Sequence, residues 1–449
     1  MNKVILSFCL LLTVVLSAQE HFSGINTSQR TGIINAGVNP AELMNFTSKY
    51  DVNILSVSVK GSNNKLGFSD LLSGGDFSDR LFEGEGNVDL RLDGEIYGPS
   101  LAYRINDWAF AFTTKAYTKL DLVDVDANLG DALTESAVDA FFSGSSFINN
   151  SSNQRMNGTS WGEIGVSVAH NLYEDSRHKF NIGASLKLLF PGSYVNFGAD
   201  QFNGKITNDF GQLTLTDAHA NLNIAYSGNL GEDFTEFSDY AKSLYGKPDG
   251  FAADIGVNYQ LKDDGGENYK LNVGVSVRNI GGMTFKSSNN SDTNYVLNVQ
   301  GTDSLNLNQF QNAKSAKEIE ALLLASGFLD KADNSRKSFR VKLPTLFSAY
   351  ADLKIIPSLY VTAFTQLKVR KDDENTQIAS QNIFSLTPRY TVKNYEVYLP
   401  LSQTEFSGFA TGLGFRAYGF FVGSGSIITA LINDSKQADA YIGYSFRFD

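Results

Sequence analysis

Apolar residues recur at every second position in one segment of this chain after another. In the last, residues 438–448, Ala440, Ile442, Tyr444, Phe446 and Phe448 share one face, and Tyr441, Gly443, Ser445 and Arg447 share the other. A period of two marks a β-strand, whose side chains point alternately to opposite faces. The same alternation runs through 180–188, 251–259, 271–277 and 347–355. Placed on this pattern, strands fall at 51–60, 87–104, 108–123, 161–171, 179–195, 251–261, 269–280, 344–355, 359–370, 381–391, 395–402, 406–416, 420–427 and 438–448. The second is the weakest, because Gly98-Pro99 interrupts it and proline cannot donate to a ladder.

Alternation alone does not separate a soluble sheet from a membrane wall; the connections do. Very short turns at Asn106-Asp107, 174–177, 263–267, 356–358, 392–394 and 417–419 alternate with longer connections, among them 61–86, 124–160, 196–250 and 286–343. Short turns on one side and long loops on the other are the layout of an outer-membrane barrel. The expected fold is therefore all-β: a transmembrane antiparallel β-barrel of about fourteen strands, with both termini at the periplasmic end. Three loops carry helical signals. Ser315 and Glu318 form a capping box ahead of an Ile319, Leu322, Leu323 stripe; Phe237, Tyr240, Ala241 and Leu244 form a second stripe; 131–142 is a third stretch. An apolar stripe outside the membrane must pack on something, so these helix-bearing surface loops are expected to fold over the barrel mouth.

The N-terminus fits export. Residues 1–18 have a basic Lys3, an apolar run over 4–16 and small residues Ser17-Ala18, which is the pattern of a secretory signal peptide. The expected organisation is a leader over 1–18, an N-terminal plug or hatch over 19–50 and the barrel over 51–449, in the cell outer membrane. Mean hydropathy is −0.17, and no later apolar run approaches the roughly 18 residues of a membrane helix. Eight prolines against 40 glycines, 20 tyrosines and 33 phenylalanines suit strands with aromatic girdles.

Candidate chemistry is thin. The one cysteine, Cys9, lies in the leader, so disulfides, thiolate metal sites and cysteine nucleophiles are excluded from the mature chain. Net charge is −11, a balance that argues against nucleic acid as a partner. The four histidines lack metal-ligand spacing and no nucleophile or phosphate-loop motif accompanies them, so the chain is read as no enzyme and without a cofactor. Asp124, Asp126, Asn128 and Glu135 take positions one, three, five and twelve of a calcium loop. Leu129 stands where the sharp turn wants glycine. The loop is read as a strand end with solvated acids, and calcium ligation as the alternative.

Asn39-Pro40-Ala41 reads locally as a helix start: Asn39 caps, Pro40 takes the first position and Glu42 reaches back from the third. This tripeptide behind a signal peptide, ahead of about fourteen strands, resembles the FadL-like (OmpP/TodX-type) superfamily. The run 250–259, Ser276 to Gly281, Leu343-Pro344-Thr345, Gly412 to Arg416 and the Tyr444 to Phe448 ending are similar to an uncharacterised Bacteroidetes outer-membrane barrel family beside it. The resemblance implies that the segment carrying Asn39, Pro40 and Ala41 plugs the barrel, and it suggests transport of hydrophobic substrates. Physics supports a plug separately, because a bore of this size leaks unless blocked.

The register turns Lys187, Asp254, Arg278, Asp352, Lys354, Gln366, Lys368, Arg389 and Arg416 inward, where charges must be solvated or paired. Such an interior fits a polar solute or a barrel that transports nothing. The leading function is a plugged channel for a small-molecule solute; the alternative is a scaffold or secretion-accessory barrel, a role some FadL-like barrels of Bacteroidetes take, binding protein partners through its surface loops. Outer-membrane lipid is the common partner of both.

Overall fold

The computed structural model describes residues 21–28, 32–72, 77–134, 144–231, 247–263, 269–311, 313–432 and 435–449. The leader, the helical signal at 237–244 and Glu135 lie outside them. Fourteen antiparallel strands form the wall. In chain order they are β1 (Tyr50–Asn63), β2 (Asn87–Tyr97, continued as Ser100–Ile105), β3 (Trp108–Asp126), β4 (Gln154–Glu174), β5 (His178–Asp209), β6 (Gly250–Lys262) and β7 (Tyr269–Phe285). They continue as β8 (Phe339–Lys342 and Leu346–Ile356), β9 (Leu359–Lys368), β10 (Ile383–Val392), β11 (Tyr395–Tyr398 and Leu401–Thr404), β12 (Gly408–Thr411 and Leu413–Ala417), β13 (Phe420–Ser424) and β14 (Gln437–Phe448). Each strand pairs with the next, and β14 closes on β1 from Tyr50↔Phe448 to Ser62↔Gln437. Closure leaves no edge in the ring, which is what a sheet in lipid requires.

The pleat decides what faces lipid. On β14, Ile442 and Tyr444 are 50% and 47% exposed, while Tyr441 and Ser445 are 2% and 1% exposed. The expected register is the observed one. On β3, Phe110 and Phe112 face out while Ala109 and Ala111 face in and are buried. Trp108, Tyr390, Tyr395, Tyr418 and Phe448 are exposed at the strand ends nearest the short turns, where they form an aromatic band. Among the described residues no helix is long and apolar enough to cross a membrane. The break in β2 falls at Gly98-Pro99, as its sequence requires.

At the loop end the wall continues well past the membrane. β5 alone has 32 residues, about 105 Å of extended chain, whereas a tilted strand crosses the bilayer in roughly 9–11 residues. The surplus pairs with strand Gln212–Ser227, which pairs in turn with Ser291–Val299, in a region expected to be loop. This projecting sheet has its own apolar core, including Ile206, Leu215, Ile224 and Leu297. Helices Ala127–Thr134 and Ala316–Ala325 pack against it. Ser315 caps the second by accepting from the Glu318 amide at 3.2 Å, as the capping signal requires.

Ile442 sits between Val57 of β1 and Val422 of β13 on the outer face. Ile442→Arg should cost roughly 2–4 kcal/mol, read as a lower urea midpoint for the heat-modifiable, folded form. A variant as stable as the parent would show that this face does not meet lipid.

Candidate functional site in the barrel lumen

The ring encloses residues 21–28 and 32–46. Helix Gly32–Ala36 and the 3₁₀ turn Pro40–Met44 are buried in full. Phe22, Ile25, Ile33, Ile34, Leu43, Met44 and Phe46 form one cluster with inward Ala102, Ala109, Ala111, Ala169, Tyr398, Phe421 and Tyr441 of the wall. Wall side chains then bind the segment's backbone from several directions. Tyr97 of β2 donates to the Ile33 carbonyl (2.9 Å), Ser276 of β7 to that of Val38 (2.6 Å), and Lys179 of β5 to that of Met44 (2.7 Å). Arg278 of β7 reaches the Gly37 carbonyl (2.9 Å), and Tyr441 of β14 that of Ser23 (2.7 Å).

Asn39 is the hub. Its side-chain oxygen accepts from the Ala41 amide at 3.0 Å, the cap its sequence calls for. Its amide nitrogen donates to the Val257 carbonyl of β6 (2.9 Å) and to the Tyr350 hydroxyl of β8 (3.2 Å). One side chain therefore both starts the turn and ties it to two strands. Three wall glycines make room for the tripeptide. A Cβ at Gly183 would sit 2.4 Å from the Ala41 nitrogen, at Gly256 2.1 Å from Asn39 Oδ1, and at Gly274 2.7 Å from Asn39 Nδ2. Gly183 and Gly256 face each other across β5 and β6. Any other residue there would fill the slot.

Glu42 departs from expectation. Its carboxylate does not reach back to the cap. It accepts instead from Asn258 (2.9 Å), Asn272 (3.0 Å), Asn45 (2.8 Å) and the Tyr350 hydroxyl. The wall prevails over the local box because it offers several donors to a buried carboxylate. Burial raises the Glu42 pKa, opposed by those hydrogen bonds and reinforced by the Asp352 charge.

The structure gives the polar residues expected to face the lumen partners that the sequence does not reveal. Lys187 meets Asp254 at 2.8 Å, Asp352 meets Arg389 at 2.6 Å, and Arg278 donates to Gln366. Arg416 of β12 stands opposite Glu396 of β11 in the ladder. Lys354 reaches Asp263 (2.5 Å) and Lys368 reaches Asp372 (2.9 Å). Lys115–Glu95 (3.1 Å) and Lys119–Asp93 (3.0 Å) add two buried pairs that were not singled out. Arg389, Glu396 and Arg416 also line a polar cavity of about 610 Å³ at the short-turn end of the lumen, with Lys393 and Arg447. At the candidate calcium loop, Asp126 Oδ1 accepts from the amide and side chain of Asn128 (2.9 and 3.2 Å) at the start of helix Ala127–Thr134, and the Asp124 amide donates to Asp89. Among the described residues no group of three His, Cys, Asp or Glu could hold a metal ion.

Residues 40–425 match the family described as "Family of unknown function (DUF5723)". The chain belongs to DUF5723. No curated protein matches it in sequence. Among solved structures, this DUF5723 chain is similar to the Ralstonia pickettii toluene transporter TbuX, with a TM-score of 0.43, 10% identity, and 93% of this chain and 94% of that one covered. The P. putida toluene transporter TodX gives 0.43 and 10%, covering 91% and 92%; a Pseudomonas aeruginosa FadL homologue gives 0.29 and 10%, covering 97% and 100%.

The seat can be tested in a chain starting at residue 19, which has no cysteine, with Ile34→Cys as a buried reporter. Asn39→Ala loses a cap worth about 1–2 kcal/mol, so maleimide labelling of the reporter should accelerate roughly 5–30-fold. Gly256→Ala should act in the same direction. Unchanged rates would show that the tripeptide does not seat the segment.

A pKa raised in the folded state favours the protonated form, so Glu42's contribution is full below its ordinary value of 4.5 and is lost as pH rises through the raised one. Acidification from neutral pH should tighten the segment. Labelling rates relative to a Glu42→Gln variant at the same pH should therefore fall as pH drops; a flat ratio would remove Glu42 as the titrating group.

Proposed function

We propose that this chain, exported by its leader, is an outer-membrane channel for a small apolar molecule, held shut by its N-terminal segment. The observation that carries the substrate class lies outside the bilayer. Between the projecting sheet and its two helices is a cavity of about 350 Å³, lined by Leu129, Phe197, Leu222, Ile224, Leu297 and Leu323 among others. Gln154, Arg155 and Asn223 are the polar groups in its lining. Cavities of this size and lining hold small ligands. An apolar molecule burying ~200 Å² there gains about 5 kcal/mol, which corresponds to capture at roughly 0.1–1 mM. Weak capture suits a first site that must release its occupant inward.

A filled lumen alone would serve a scaffold barrel equally well. The cavity favours the channel, because a protein-docking face has no need of an apolar hollow beneath a helix. The segment that fills the bore is not part of the wall and is bound by hydrogen bonds and packing alone, so it can leave without breaking the ring.

Saturable binding of 1-aminoanthracene to the barrel in nanodiscs tests the site. Ala199→Trp, which fills the cavity from β5, should weaken binding at least tenfold while the barrel stays folded. Undiminished affinity would place capture elsewhere, and no saturable binding by the parent would return the scaffold reading.

A further inference from the structure

We infer that loop 370–382, between β9 and β10, is a second closure of the bore, in series with the N-terminal segment and latched by Arg155; this rests on the channel reading above. The loop is acidic and polar at its start, yet it turns inward. Gln377, Ile378, Ala379, Ser380 and Gln381 are all buried. Asp372 pairs with Lys368 of β9 (2.9 Å) and approaches Arg91 of β2 (3.9 Å). β2 and β9 are seven places apart in a ring of fourteen, diametrically opposite, so the loop spans the bore instead of lining one side.

Its backbone is held from the wall. Arg155 of β4 donates to the Asp372 carbonyl (2.8 Å) and to the Gln377 carbonyl (3.2 Å), bridging the loop with the two arms of one guanidinium. Tyr194 of β5 donates to the Asn375 carbonyl (2.7 Å). Thr376 and Ile378 bracket Lys342 of β8 through backbone bonds of 2.9 and 3.0 Å. The N-terminal segment uses different wall residues, among them Tyr97, Ser276 and Tyr350, so the two closures are built independently.

Arg155 also lines the apolar cavity. Gly198 lines it as well, and a Cβ there would fall 2.1 Å from Asn375 Oδ1 of the loop. The loop thus lies against the cavity at two points, and a captured molecule touches the residue that latches the gate. Arg155 is a positioning residue: it acts on the path by holding the loop.

Conductance in planar bilayers tests this with four forms of the mature chain: the parent, a deletion of 21–46, a Gly-Ser replacement of 371–381, and both changes together, each shown to be heat-modifiable. Each single change should carry less than a tenth of the current of the double form. If deletion of 21–46 alone conducts as fully as the double form, the loop is no gate. A folded but silent double form would overturn the channel reading itself. In the 21–46 deletion, Arg155→Lys keeps the charge but loses the fork, and current should rise at least fivefold; no rise would overturn the latch. Adding 1-aminoanthracene to the same deletion should raise current at least twofold, and an unchanged current would overturn coupling of cavity to gate.

Discussion

A ring of fourteen strands encloses more space than its own inward side chains can fill, while eight strands would have left none to spare. Backbone and polar groups facing that space need either water or protein partners, because an unmet buried donor or acceptor costs about 1–3 kcal/mol. In this chain the partners are protein. The wall presents Asn181, Asn258, Asn272, Ser276 and Tyr350 inward, and residues 21–46 supply carbonyls, amides and one carboxylate to match. Where the segment comes closest the wall has glycine; where it packs by apolar contact the wall has four alanines together with Tyr398, Phe421 and Tyr441. Lumen and segment are two halves of one packed interior.

The segment sits in the lumen without a covalent bond across to the wall. Hydrogen bonds worth about 1 kcal/mol each and a modest apolar cluster hold the N-terminal segment, whereas the ring is held by continuous ladders on every strand. The two differ in what is lost on release. Freeing the segment exposes polar groups to water, which can satisfy them; opening the ring would expose backbone to lipid, which cannot. Under the proposed channel reading, that asymmetry would let the segment move inside a wall that does not.

Much of the wall was legible because its rule is local. Alternation located all fourteen strands, and the exposed Ile442 and Tyr444 against buried Tyr441 and Ser445 follow directly from it. The strand Gln212–Ser227 escaped for a local reason too. Its alternation runs through Leu213 and Leu215, then resumes one place late at Ala218, Ala220, Leu222 and Ile224, because Asp217 takes a left-handed conformation at φ 47° and shifts the register. Asn39 as a cap was readable from its neighbours. Gly183, Gly256 and Gly274 were not: they are three of 40 glycines, and their use depends on what another segment places above them. Loop 370–382 was hidden for the same reason. Lys371-Asp372-Asp373-Glu374 reads as solvated surface, yet Asp372 is buried, met by Lys368 four residues before it and by Arg91 and Arg155, which are distant in sequence.

The central claim is that residues 21–46 are part of the packed interior and not a tail resting in a water-filled bore. Amide hydrogen exchange of the folded mature barrel measures this directly. The amides of Gly37, Val38, Asn39, Ala41, Glu42 and Asn45, all hydrogen-bonded within the segment, should exchange far more slowly than in the isolated peptide. Their protection should approach that of the β6 and β7 amides beside them. Exchange at the free-peptide rate while the wall stays protected would contradict the packed lumen and everything built on it.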